Sequence, residues 1–211
     1  MTLARESLTY ETFTRLRRDI IEGRIRPNER LIAADLAESL GISRTPVREA
    51  LQLLEAEDIV VGVRRGYVVR EHTKDEVVEI YEVRAALEGM AARLVAQHHD
   101  DATLASIVAI GAHDVAIAAD RSRLVDLNSM FHAAIIQACG NRRLGRLNSA
   151  NSQQFFNYRI AELYTDAEAI ESVQGHARIV EALQRHDADA AESAAQQHVL
   201  DGLAVTLSKL R

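Results

Sequence analysis

Arg44, Arg48 and Gln52 stand four residues apart in the run SRTPVREALQLL. At about 100° per residue, that spacing sets them on one side of a helix. A guanidinium at the exposed start of a short helix can form paired hydrogen bonds with guanine O6 and N7. Ser43 and Thr45 flank Arg44 and can donate to phosphate, as can the backbone N–H groups of a helix start. Farther on, Arg64, Arg65 and Gly66 fall at the tip of a predicted hairpin. There the arginines would meet phosphate, and the small residue would let backbone approach a minor groove. On an arbitrary helix, two outward arginines are more often a solvated face. Here a polar cap, a proline, outward arginines and a glycine-tipped hairpin occur in the order a DNA reader needs.

These side chains need a frame, and the pattern supplies one. Phe13, Leu16, Ile20 and Ile21 recur at helical spacing, and Gly23 can end that helix. GRIRPNERL then reads as a turn with a short extended piece. Residues 33–40 make a second helix with Leu36, Ala37 and Leu40 on one face, closed by Gly41. Residues 45–56 make a third, with Thr45 as cap, Pro46 at the first helical position and Val47, Ala50, Leu51 and Leu54 as the buried stripe. IVVGVRRGYVV (59–69) reads as a β-hairpin. Three short helices followed by a hairpin is the winged helix-turn-helix plan, whose third helix enters the major groove.

Beyond residue 74 the chain has no proline and is rich in Ala, Leu, Glu, Arg and Gln. Breaks near 99–101, 120, 140, 165 and 187 divide it into six predicted helices: 74–98, 101–119, 121–139, 142–163, 166–185 and 187–209. The expected fold is mainly α, with a winged helix-turn-helix domain over 1–70 and an all-helical bundle over 71–211.

Composition agrees with a folded protein: 47% hydrophobic and 27% charged residues. The net charge of -6 is unevenly placed. Residues 1–70 carry +1 and residues 71–211 carry -7, so overall acidity does not exclude DNA binding by the first part. No run approaches the length of an apolar membrane span, and the start lacks a signal-peptide core. Cys139 is the single cysteine, so no internal disulfide can form. A cytoplasmic address without membrane attachment is the reading.

LAESLGISRTPVREALQLLEAEDIV followed by RRGYVV closely resembles the DNA-binding domain of the GntR family of regulators. The resemblance implies base or phosphate contacts by Arg44 and Arg48, with Ser43, Thr45 and Gly66 in support; Arg65 is assigned to phosphate by its place at the hairpin tip. Some members place an arginine at the start of the second helix; Ala33–Ala34 stand there in this chain, so no contact is expected.

The second part resembles the FCD domain of the FadR subfamily, in its six-helix VanR-like form. YEVRAALEGMAARL, LNSMFHAAIIQACGN, GHARIVEALQRHDADAA and QQHVL carry the likeness. Members of this group often hold a divalent metal through one Asp or Asn and three His. The motif places Asn128, His132, His176 and His198 in those roles. Asn128 and His132 differ by about 40° around a helix, so both can reach one ion; Asp126 points elsewhere. Zinc or nickel are the first candidates, and imidazoles also suit copper and iron. Many relatives carry Asp where this chain has Asn128. Neutral ligands leave the metal's charge uncompensated, which would draw a small carboxylate to an open position. Arg84 resembles a cavity-facing arginine and could hold that acid, or could simply pair with Glu88 one turn later.

His72, His98, His99 and His186 sit at helix ends or linkers and are read as ordinary residues; His113 stays open. Phe155, Phe156 and Tyr158 are expected to pack in the bundle or at an interface, and Cys139 to be a small buried residue. The resulting expectation is a homodimeric regulator and not an enzyme. It would repress from a double-stranded operator under control of a small carboxylate metabolite. Two rivals remain at this point: a metal-dependent hydrolase, for which only Glu88 could be the base, and a metal-free sensor whose histidines line a polar pocket.

Overall fold

The computed structural model describes residues 2–21, 23–98, 100–111, 115–152, 160 and 163–210, with the backbone alone for 2–7 and 152. His99, His113, Phe155, Phe156 and Tyr158 lie outside the described residues. The chain divides into two compact units, Met1–His72 and Thr73–Arg211.

The first unit runs α1 (Thr2–Ile21), β1 (Arg30–Leu31), α2 (Ala33–Leu40), α3 (Arg44–Ala56), β2 (Val60–Val63) and β3 (Gly66–Val69). Its core joins Phe13, Leu16 and Ile20 of α1 to Val47, Ala50, Leu51 and Leu54 of α3, the last four fully buried. Apolar burial of this kind supplies about 1.5–3 kcal/mol per large side chain. Two polar ties fix α1 against α3: Thr9 Oγ1 donates to Glu49 Oε2 at 2.7 Å, and Arg17 Nε to Glu57 Oε2 at 3.2 Å. The extended piece expected after Gly23 is a third strand. β1 pairs antiparallel with β3, giving the order β1-β3-β2.

The start of α3 corrects the sequence reading. The helix begins at Arg44, and Ser43 holds the cap position without a side-chain cap bond. Thr45 is therefore the second helical residue and not the cap, and Pro46 is the third. Proline is tolerated there because the first four N–H groups of a helix lack intrahelical partners.

The second unit contains, among the described residues, six α-helices: α4 (Lys74–His98), α5 (Asp101–Gly111), α6 (Arg121–Ala138), α7 (Arg142–Ser152), α8 (Asp166–Gln184) and α9 (Ala188–Lys209). The expected helix over 101–119 is not one continuous α-helix: α5 is described over Asp101–Gly111, and Val115–Ala119 form a 3-10 turn. Gly111 is buried, and a Cβ there would run into Phe131 and Val180, so this position of α5 takes no side chain.

Side chains cap the helix starts. Thr73 and Glu76 exchange hydrogen bonds ahead of α4, and Thr165 and Glu168 form a capping box on α8. Asp120 and Asp187 cap α6 and α9. Ala91, Ala92, Val95 and Ala96 of α4 pack in one core with Phe131, Ile135, Ile179, Leu183, Ala191 and Ala195. Small residues on α4 and α9 let these two long helices lie close together.

Candidate nucleic-acid interface and metal centre

Gly41 closes α2 in a left-handed conformation (φ 68°) that glycine adopts without strain, and its N–H bonds the carbonyls of Ala37 and Glu38. Ser43 follows in extended backbone, and α3 starts. Ser43, Arg44, Thr45, Arg48 and Gln52 are all exposed, whereas Val47, Ala50, Leu51 and Leu54 are fully buried. Among the described residues, no carboxylate pairs with Arg44 or Arg48. Uncapped N–H groups, two hydroxyls and two guanidinium groups thus share one helix start, which is suited to receive phosphate and base edges.

Arg64 and Arg65 are exposed at the β2–β3 turn. The turn is fixed from behind by a residue the sequence reading did not single out. Arg30 donates from Nε and Nη2 to the Arg65 carbonyl at 3.0 and 2.8 Å. Gly66 has φ 105°, and a Cβ there would collide with the Leu31 carbonyl. Its glycine is thus required by the wing's own strand pairing, before any approach to DNA is considered.

In the second unit the residues named from the sequence come together. Asn128 and His132 project from α6, one turn apart, His176 from α8 and His198 from α9. His132 Nε2 lies 3.2 Å from His198 Nε2, and His176 Nε2 lies 3.1 Å from Asn128 Oδ1. One ring nitrogen from each histidine falls within 4.8 Å of the others. A metal about 2.0–2.1 Å from each ligand holds neighbouring ligand atoms roughly 2.9–3.4 Å apart, so both short separations match a ligand edge. His132, His176 and His198 are buried, and Phe131 lies against His176 with ring centroids 4.4 Å apart. Asp126 is exposed and outside the cluster, as are His98 and His186.

Room for the His198 ring comes from Gly175, whose place the sequence reading quoted without assigning. A Cβ there would run into Nδ1 of His198. Burial first, then His176, His132 and Arg84, push the His198 imidazole well below its ordinary pKa, so it is neutral at pH 7. Neutral imidazole is the form that binds metals.

Arg84 and Glu88 lie one turn apart on α4. Arg84 Nε donates to Glu88 Oε1 at 2.6 Å, so the intrahelical pair is present. Arg84 also lies over the Tyr81 ring, 5.6 Å from its centroid, and lines a cavity. Burial would raise the Glu88 carboxyl, but Arg84 and His132 outweigh it and hold Glu88 well below the usual carboxylate range. The cavity has a volume of about 400 Å³ and is lined by Tyr81, Arg84, Asn128, Tyr164, His198 and Val199, among others. Asn128 and His198 belong to both cavity and cluster, and His132 and His176 lie behind them. A metal held by the four ligands would therefore face the cavity. Of the acids on the same wall, Glu168 pairs with Lys209 at 2.9 Å and Glu171 with Arg178 at 2.8 Å, while Asp201 accepts from Gln197 at 2.7 Å and lies 3.9 Å from Arg178.

A helix-turn-helix with a three-stranded wing, followed in the same chain by a helical bundle around a cavity, defines a winged-helix regulator. Comparisons with known proteins agree. Residues 8–69 match the model of "Bacterial regulatory proteins, gntR family", and residues 79–201 match the "FCD domain". The chain is 30% identical to the HTH-type transcriptional regulator YdhC of Bacillus subtilis, over 89% of this chain and 84% of that protein. It is 29% identical to the HTH-type transcriptional repressor GlaR of Escherichia coli, over 88% of this chain and 89% of that protein. The E. coli McbR/YncC structure superposes with a TM-score of 0.82 at 24% identity, covering 96% of this chain and 98% of that one. This chain belongs to the GntR family, in the branch that carries an FCD domain. It is a DNA-binding transcription regulator and not an enzyme. Among the described residues, no helix is long and apolar enough to cross a membrane.

Proposed function

We propose that this protein is a homodimeric repressor whose operator affinity changes when a small carboxylic acid binds at a metal centre in the FCD domain. One observation carries the reading: Asn128, His132, His176 and His198 converge at ligand-like separations on the wall of the cavity that Arg84 also lines. When bound, a divalent ion such as zinc or nickel would supply a positive anchor for a carboxylate oxygen. Asn128 and the three imidazoles are neutral donors, and Glu88 is already balanced by Arg84, so nothing in this set cancels that charge. Arg84 holds the acid's second oxygen, and Tyr81 and Tyr164 shape the wall beside it. Two copies of α3 read a short, roughly palindromic operator. Arg44 and Arg48 meet bases or phosphates there, Ser43 and Thr45 meet phosphates, and Arg65 and Gly66 meet the flanking groove. GlaR, a relative over most of the chain, is named a repressor. Switching follows if the acid binds one arrangement of the dimer better than the other.

The test uses protein purified without chelator. Elemental analysis is expected to find about one divalent ion per chain in the wild type and a marked loss in His132→Ala. A fluorescence titration with small mono- and dicarboxylates is then expected to show binding only to the metal-loaded protein. Equal metal content in wild type and His132→Ala would remove His132 as a ligand. Acid binding that ignores added chelator would remove the metal anchor.

A further inference from the structure

We infer that Glu88 is the positioning residue of this centre, one carboxylate that sets the His132 tautomer and the Arg84 pose together. The inference rests on the metal reading above and adds a group that the ligand set does not contain. Glu88 is 4% exposed; one of its oxygens is hydrogen-bonded, and the other, Oε2, is buried against His132 without an aligned hydrogen bond. Oε1 accepts from Arg84 Nε at 2.6 Å, and Oε2 lies 2.5 Å from His132 Nδ1. A neutral imidazole has one N–H. Placed at Nδ1 to meet the carboxylate, it leaves Nε2 bare. Nε2 is the atom that faces His198 Nε2 at 3.2 Å, inside the candidate centre. Glu88 thus turns the correct lone pair inward, as a carboxylate behind a metal-binding histidine does. The same carboxylate takes Nε of Arg84 and so directs the rest of the guanidinium along the cavity that Arg84 lines. The grip on the histidine and the grip on the arginine share one side chain.

Only an acceptor at both ends fits this position. A glutamine of the same shape has one carbonyl oxygen and one NH2. With its oxygen on Arg84, its NH2 faces His132 Nδ1, which must then accept, and the ring proton moves to Nε2. Reversed, its NH2 opposes the Nε–H of Arg84. Either arrangement breaks one of the two holds.

The test compares wild type and Glu88→Gln in two measurements. Co2+ titration, followed by d–d absorption, reads the metal affinity. Ring 15N shifts of His132 in metal-free protein read the tautomer, and circular dichroism checks the fold. The expected result is a cobalt affinity about 10–100-fold weaker in Glu88→Gln. The proton should sit on Nδ1 in the wild type and on Nε2 in the variant. Equal cobalt affinity in the two folded proteins overturns the inference. A wild-type His132 with its proton on Nε2 overturns it as well, even if the variant does not fold. A wild type that takes no cobalt but shows the expected tautomers sinks the metal reading and keeps Glu88 as the group that orients His132.

Discussion

Replacing Gly175 by alanine sets two effects against each other. In a helix interior alanine is favoured over glycine by about 0.8–1.0 kcal/mol, so on propensity alone α8 gains stability. The new methyl would stand 3.1 Å from Cγ and 3.2 Å from Cε1 of His198, and closer still to Nδ1. Ordinary contact starts at about 3.5 Å, so the ring or the helix must give way. Overpacking a buried site costs about 1–3 kcal/mol, so net stability should fall by roughly 0–2 kcal/mol. The larger effect falls on the metal. In the proposed centre His198 would supply one of four ligands, and its Nε2 sits 3.2 Å from that of His132. A displaced ring spoils that edge, and a loss of about tenfold to a hundredfold in cobalt affinity corresponds to roughly 1.4–2.8 kcal/mol. Calorimetric titration with Co2+, beside a thermal melt of the metal-free protein, separates the terms. A variant that melts at or above the wild-type temperature and binds cobalt equally well would refute the claim that Gly175 exists to seat His198.

Three other outcomes follow from the same geometry. Arg48→Ala should cost about 1–3 kcal/mol of operator affinity in an anisotropy titration if Arg48 reads a base, and unchanged affinity removes that role. Gly66→Ala forces a side chain into φ 105° against the Leu31 carbonyl. It should lower stability by about 1–3 kcal/mol in a denaturant melt, with loss of the wing's strand pairing in amide exchange. Burial and its charged neighbours depress the His198 pKa in the fold, whereas in the unfolded chain histidine titrates near 6.5. The neutral ring's contribution to stability is therefore fully present above about pH 6.5 and lost as pH falls toward the depressed value. Melts of metal-free protein from pH 7.5 to 5 should show this loss, and His198→Gln should show a weaker dependence on pH over the same window.

The sequence by itself determined the local elements and the identity of the chemical groups. Helix periodicity, Gly41, and the alternation of 59–69 placed α2, α3 and the wing, because these signals arise from contacts within a few residues. His132, His176 and His198 were legible because they fall in motifs that resemble the FCD domain; residue type alone does not separate them from the other five histidines. The cap of α3 falls at Ser43 and not at Thr45, because the helix begins at Arg44. The need for glycine at 111 was hidden from the sequence: Phe131 and Val180, both distant along the chain, occupy the space a side chain would need. The contacts of Arg30 and Gly175, and that of Glu88 with His132, were decided by tertiary structure alone. Each depends on a partner on another element: the Arg65 carbonyl, the His132 ring and the His198 ring. Periodicity along one helix specifies which way a side chain points, but what it meets depends on how helices far apart in the chain pack together.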